Sequence, residues 1–300
     1  MIRKPTTERH DCMIAVNFTN SYDPNDYPGF HFIDCSDISG CNMYCDEEAK
    51  AEIKRRILSA LNIAGGTGTS GIKDGIYEGI HLIDSGNYHY MTRLFTEEIK
   101  VPYELVFFDN HTDMKPAMFD MLSCGSWAKE VLKKDKNLRK MYMIGPRIDQ
   151  GGNTLGDGAL GDGTFGDDFT DKLVTVSQDE LTSINEALSN PKMIKLYDPS
   201  PSSLPVYISV DKDILDESEV KTNWDQGNMR LNVLISILEN IRKNRTVLGA
   251  DICGLFPESA GIVRTKCAYE NGPKTDTAII NALSLHIKAY PEHHNDIPQD

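Results

Sequence analysis

What this chain lacks narrows its function first. No apolar run approaches the ~20 residues that span a membrane, so helical membrane insertion is not expected. Basic residues are in deficit: 31 Lys and Arg stand against 45 Asp and Glu, a formal net charge of −14. A surface of that sign repels phosphate backbones, and nucleic acid is not an expected partner. Met1-Ile2-Arg3-Lys4-Pro5 leads into polar residues rather than the apolar core of a secretory signal, which makes the cytoplasm the expected location. The seven cysteines are an odd number and do not form a complete disulfide framework. Cys35, Cys41 and Cys45 cluster between Asp34 and Asp46, at a spacing that fits no zinc pattern. They read as reduced loop thiols or as a redox-sensitive loop near a site mouth. Cys253 lies in an apolar run and reads as core.

What is present is ordinary in composition and ordered in pattern. Three hundred residues, 40% hydrophobic and 25% charged, suit one large α/β domain spanning 1–300. Cys12–Phe18 reads as a first strand, with others near 79–83, 103–108, 140–144, 172–176, 205–210 and 246–252. Asp46 caps a helix over Glu47–Leu61, with Ile53, Ile57, Leu58 and Leu61 on one face. Further helices are expected near 90–98, 126–135, 179–189, 231–243 and 275–289. Such alternation implies a mostly parallel central sheet with helices on both faces, a three-layer α/β/α fold. Sites in such sheets lie beyond the carboxyl ends of the strands.

Those ends carry the chemistry. Leu105-Val106-Phe107-Phe108 runs into Asp109-Asn110-His111-Thr112-Asp113, so three ligand-type side chains alternate along an extended segment. About a hundred residues on, Val206-Tyr207-Ile208-Ser209-Val210 runs into Asp211-Lys212-Asp213. Upstream, Gly79–Ile83 leads to Asp84-Ser85-Gly86-Asn87-Tyr88-His89. Three strand ends thus supply His89, Asp109, His111, Asp113, Asp211 and Asp213. Four carboxylates are costly to bury without cations, and two divalent ions would neutralise them. Oxygen and imidazole donors without a thiolate favour Mn²⁺. A lone Asp-x-His-x-Asp could equally be a polar strand end facing solvent; its recurrence after a second strand favours metal.

At these residues the chain resembles the ureohydrolases: arginase, agmatinase, formimidoylglutamase and relatives. Asp109–Asp113 looks like their Asp-Ala-His-x-Asp motif, Ser209–Asp213 like their Ser-x-Asp-x-Asp motif, and Gly86-Asn87-Tyr88-His89 like their Gly-Gly-Asp-His. The resemblance runs from about residue 12 to about residue 290. It implies the arginase-like fold and a pair of divalent ions, expected to be Mn²⁺, on the six residues named. It also implies hydrolysis of a C–N bond in a guanidino-, formimino- or amide-like small molecule, with Asp113 orienting the attacking water. Two positions depart from the family. Ser123-Cys124-Gly125-Ser126 puts Cys124 where a proton-shuttling His is usual. Asp251-Ile252-Cys253-Gly254 puts Gly254 where a Glu usually meets the substrate cation. Cys124 then becomes the candidate proton carrier, and Glu258 a candidate replacement carboxylate. The alternative reading is a metal-binding pseudoenzyme with a ligand-binding or regulatory role. A homo-oligomer is compatible with either.

Other residues keep two readings. Trp224, in Asn223-Trp224-Asp225, forms a substrate-pocket wall or simply packs. Arg147 meets an anionic substrate group or a surface carboxylate. The Gly-Asp triplets of Gln150–Asp171 bind Ca²⁺ or form a solvated loop. His293 and His294 read as a solvated tail.

Overall fold

The computed structural model describes residues 13–64, 76–148, 171–181, 203–257 and 266–284. Its strands are β1 (Met13–Asn17), β2 (His31–Asp34), β3 (Tyr44–Cys45), β4 (Gly79–Leu82), β5 (Tyr103–Phe108), β6 (Leu122–Ser123), β7 (Leu138–Ile144), β8 (Leu173–Val176), β9 (Val206–Asp211) and β10 (Val247–Cys253). Eight form one sheet in the order β2-β1-β4-β10-β9-β5-β7-β8, with every neighbouring pair parallel. β3 and β6 make a separate antiparallel pair. The helices are α1 (Glu47–Ala64), α2 (Met91–Thr96), α3 (Trp127–Lys134), α4 (Leu231–Asn244) and α5 (Lys266–Leu283).

The pleat sorts side chains onto the two faces. Tyr103, Leu105 and Phe107 of β5 join Tyr207 of β9 in one buried cluster, together with Ile53 and Ile57 of α1, Leu94 of α2 and Trp127 of α3. Val106 and Phe108 join Ile208 and Val210 on the opposite face, against Leu234 and Ile237 of α4 and Ile279 of α5. The result is the three-layer α/β/α arrangement with an all-parallel central sheet. The central strands β5, β9 and β10 are buried along their whole lengths, as sheets covered on both faces require. All eight carboxyl ends lie at one edge. No helix among the described residues is long and apolar enough to cross a membrane.

Several local expectations change. Asp46 does cap α1, its carboxylate accepting the Ala49 amide at 2.8 Å. Leu58, however, is 45% exposed and lies off the buried Ile53–Ile57 stripe. β2 shows no apolar run: it is an edge strand on which only Ile33 is buried. α5 begins at Lys266 and carries Pro273 inside it, although proline normally marks a helix's first turn. Cys35, Cys41 and Cys45 are free thiols, the first two in loops and Cys45 in β3, but each is buried in the core, at most 4% exposed, and burial pushes the Cys35 and Cys45 thiols up to about 12. Residues 150–170 of the Gly-Asp stretch, the expected helix beyond 181, and His293 and His294 lie outside the described residues.

Gly249 marks the tightest packing in β10. A Cβ there would stand 1.8 Å from the Tyr77 carbonyl oxygen, so any side chain forces the backbone apart. Gly249→Ala is expected to destabilise by about 1–3 kcal/mol, the range for overpacking. The check is a lower urea midpoint at unchanged m-value; a midpoint equal to wild type would refute that close approach.

Candidate metal centre

Parallel pairing of β5 with β9, and of β9 with β10, brings their ends side by side. Asp109 follows the last residue of β5, Asp211 ends β9, and Cys253 of β10 is in register with Asp211. The turns that follow are held by the carboxylates themselves. Asp109 Oδ1 accepts the His111 amide at 2.6 Å, Asp211 Oδ1 the Asp213 amide at 3.0 Å, and Asp213 Oδ1 the Asn110 amide at 3.0 Å. Asp113 takes a left-handed backbone (φ 51). Trp127 Nε1–H donates to its Oδ2 at 2.5 Å.

His89 enters from a short 3₁₀ turn, Gly86–Tyr88, beyond β4. Its Nδ1 lies 3.0 Å from Asp109 Oδ2, 3.1 Å from Asp113 Oδ2 and 3.6 Å from Asp211 Oδ2. Its Nε2 is 2.9 Å from Ser209 Oγ. Ser209 donates its one proton to Asp251 Oδ1 at 2.6 Å, and Thr92 donates to the same oxygen at 3.0 Å. Ser209 therefore accepts from His89 Nε2–H, which points Nδ1 at the carboxylates. His111 Nδ1 lies 2.9 Å from Asp213 Oδ2 and 3.3 Å from Asp109 Oδ1. All six residues read from the three strand ends thus meet at one place. Five of them form a His89–Asp109–Asp113 group and an Asp109–His111–Asp213 group that share Asp109, and Asp211 groups with His89 and Cys253.

Burial and mutual repulsion set the protonation of the metal-free site. Burial, then the Asp109 charge, pushes Asp113 up to about 7. Burial, then Asp109, raises Asp211; burial, then Asp211, raises Asp213 well above the usual carboxylate range. Burial would raise Asp109 too, but hydrogen bonds from His111 and His89 outweigh it and hold that carboxyl low. Burial opposes charge on both histidines, yet the surrounding aspartates raise each imidazole strongly. Burial brings Asp251 up to about 6.

A cleft of about 530 Å³ opens over this cluster, lined also by Tyr44, Lys115, Cys124 and Trp224. Cys124 is 7% exposed, and burial, then the Asp113 charge, pushes its thiol up to about 12. The metal-free site therefore holds Cys124 as a neutral thiol. Trp224 stands edge-on to His111 with centroids 5.5 Å apart, and its Nε1–H donates to Asn87 Oδ1 at 2.9 Å; it is both cleft wall and packing residue. Gly254 has φ +89, and a Cβ there would lie 2.8 Å from Asp211 Oδ1. The Asp211 carboxylate and the start of Lys212 thus fill the space that a side chain would need. Glu258 lies outside the described residues. Arg147 donates to Gln178 Oε1 and to the Gln226 carbonyl, bracing the loop after Trp224 rather than meeting a carboxylate.

Two features escape sequence reasoning. Lys212, between two of the aspartates, points to the opposite face and pairs with buried Asp276 at 2.6 Å; the strand period of two gives that signal. Cys253 donates its thiol proton to Asp211 Oδ2 at 3.0 Å. It is buried as expected, and its sulfur faces the site. No linear signal places it there, because β10's neighbour is decided by sheet order.

Comparison with known proteins agrees with this geometry. No protein-family model matches the chain. An uncharacterized protein of Thermotoga maritima is 31% identical over 219 residues, 72% of this chain and 73% of that protein. The chain belongs to the same family as that protein. Solved structures place its fold among the ureohydrolases. The formimidoylglutamase of Bacillus subtilis superposes with a TM-score of 0.58 at 11% identity, covering 91% of this chain and 86% of that one. The formiminoglutamase of Trypanosoma cruzi, solved with Mn²⁺, gives 0.53 at 10% identity over 85% and 74%. The proclavaminate amidinohydrolase of Streptomyces clavuligerus gives 0.52 at 16% identity over 68% and 64%, so the chain spans just under two thirds of that protein. This ureohydrolase fold places the six donors at the carboxyl edge of its sheet.

Metal-free protein should lose stability as pH rises from 5 to 8. Between an unfolded value near 3.8 and a folded value of about 7, Asp113 is protonated only in the folded state, so its contribution falls as pH rises. The raised Asp211, Asp213 and Asp251 act in the same direction. The raised histidines contribute fully below about 6.5 and lose that contribution above it. Asp109, whose pKa is lowered, opposes the trend only at pH below about 4. Thermal unfolding in EDTA should give a higher Tm at pH 5 than at pH 8, and Mn²⁺ should abolish or reverse the difference. An EDTA-treated Tm that climbs from pH 5 to pH 8 contradicts this account.

Proposed function

We propose that this chain is a hydrolase of C–N bonds that works with two divalent metal ions. The observation that carries the reading is the buried convergence of two donor groups that share Asp109. The donor set fits: four carboxylates and two imidazoles would hold the pair, and the all-oxygen-and-nitrogen Asp109–His111–Asp213 group suits Mn²⁺. When bound, such ions supply Lewis acidity and a water of lowered pKa. The chain's own residues do the positioning. Ser209 and Asp251 hold the His89 ring, and Trp127 fixes the Asp113 carboxylate at the floor of the cleft, from which Asp113 orients the attacking water. Trp224 walls the substrate, and Lys115 gives the cleft a cation.

The substrate differs from that of arginase or agmatinase. Gly254 offers no carboxylate to a guanidinium, and the cleft carries Lys115 instead. An uncharged amide-type group fits best. The neutral Cys124 and the absence of a side chain at 254 also favour a second reading, a metal-dependent ligand-binding protein without turnover. On either reading the expected location is the cytoplasm.

Plasma emission analysis of protein purified with Mn²⁺ should find close to two ions per chain, lost on Asp109→Ala with Asp211→Ala. Arginine and agmatine should release urea poorly. A missing charged hydrogen bond of about 2–5 kcal/mol lowers kcat/KM by roughly thirty-fold to several thousand-fold. A screen of guanidino, amidino, formimino and amide compounds separates the two readings: tight binding without product for every hit favours the binding protein. No metal bound at any loading sinks both.

Cys124 has its own test. Iodoacetamide should label it slowly in chelated protein and faster once metal is bound, because a nearby cation favours the thiolate. Cys253 should stay unlabelled in both states. Cys124→Ser should keep the metal content while lowering turnover about tenfold or more, within the range for a proton-transfer group. Full activity in that variant ends the proton-carrier role.

A further inference from the structure

Cys253 is the buried nucleophile-type side chain that the proposed function leaves unused. It ends β10 on the face shared with Asp251 and lies beside Asp211 in register. Its Sγ is 3.0 Å from Asp211 Oδ2. Together with His89 it forms a third cluster whose donor atoms all lie within 4.8 Å of one another, all three residues buried. Gly254 explains the closeness. With no side chain and φ +89, it lets the end of β10 press against Asp211 and Lys212, so the preceding residue delivers its sulfur into the carboxylate cluster.

We propose that Cys253 is a metal ligand. The metal position on His89 then gains a thiolate beside its imidazole and carboxylate donors, with Asp211 next to the sulfur. The other, Asp109–His111–Asp213, keeps only oxygen and nitrogen donors. A thiolate selects softer cations, so the Cys253 position takes Zn²⁺, Fe²⁺ or Co²⁺ while the other accepts Mn²⁺. On binding, the thiol proton leaves to solvent and a sulfur lone pair forms the bond to the cation; nothing is oxidised or reduced. The inference rests on the two-metal reading and adds the chemistry of one ligand to it. The plain alternative is a thiol that only donates a hydrogen bond to Asp211 and never touches metal.

Cobalt titration of the full chain separates these. Expected is uptake of two equivalents of Co²⁺ with a sulfur-to-cobalt charge-transfer band in the near ultraviolet, lost in Cys253→Ser and kept in Cys124→Ser. Two equivalents without that band, or a band that survives Cys253→Ser, overturn the ligand assignment and leave the two-metal reading standing. Uptake of no Co²⁺ overturns that reading and the inference with it. Should Cys253→Ser fail to fold, zinc X-ray absorption on Cys124→Ser protein decides, since Cys124 cannot then supply the sulfur. A sulfur shell at about 2.3 Å supports Cys253 as ligand, and oxygen and nitrogen alone at about 2.0–2.1 Å exclude it.

Discussion

Four carboxylates share one small buried space at the edge of the sheet, and much of the surrounding structure answers their repulsion. Two like charges 4 Å apart cost about 4 kcal/mol at an effective dielectric of 20, and Asp109, Asp113, Asp211 and Asp213 are each at most 7% exposed. His89 and His111 offset part of that charge from either side. Backbone amides of His111, Asp213 and Asn110 take up more through hydrogen bonds to the carboxylate oxygens. The rest shows as protonation, with Asp113 brought up to about 7. Divalent cations are the species this arrangement suits, and protons stand in for them when they are absent.

The ring around the cluster keeps it from relaxing. Ser209 and Thr92 both donate to Asp251 Oδ1 beneath His89. Trp127 is fully buried and spends its one N–H on Asp113. Asp84, held in a left-handed turn (φ 68), accepts the Phe18 and Thr19 amides and ties the β1 turn to the end of β4, just before His89. These contacts fix side-chain direction in the absence of metal, which is what a site built to receive ions requires. The cleft lies above this ring, lined by Cys124, Lys115 and Trp224.

Legibility in the sequence followed the range of the interactions involved. The fully buried strands β5, β9 and β10 were plain because strands covered on both faces must be continuously apolar. The edge strand β2 was not, because only Ile33 of its four residues is buried. The start of α5 was read too late, after Pro273, normally a first-turn residue, which lies inside the helix. Trp224 and Arg147 kept two readings, since a loop's local sequence does not say what the loop faces.

By itself the sequence determined the six donors and the end of the sheet on which they lie. Alternation along an extended strand is a local property, and His89, Asp109, His111, Asp113, Asp211 and Asp213 each follow an apolar run that must end somewhere. Only the tertiary structure decided that β10 pairs with β9 and so carries Cys253 to Asp211. It alone chose Asp276 as the partner of Lys212 and brought the Gly254 backbone against a carboxylate. Those outcomes depend on strand order, register and the approach of backbones distant in sequence, and no local pattern of residues encodes them.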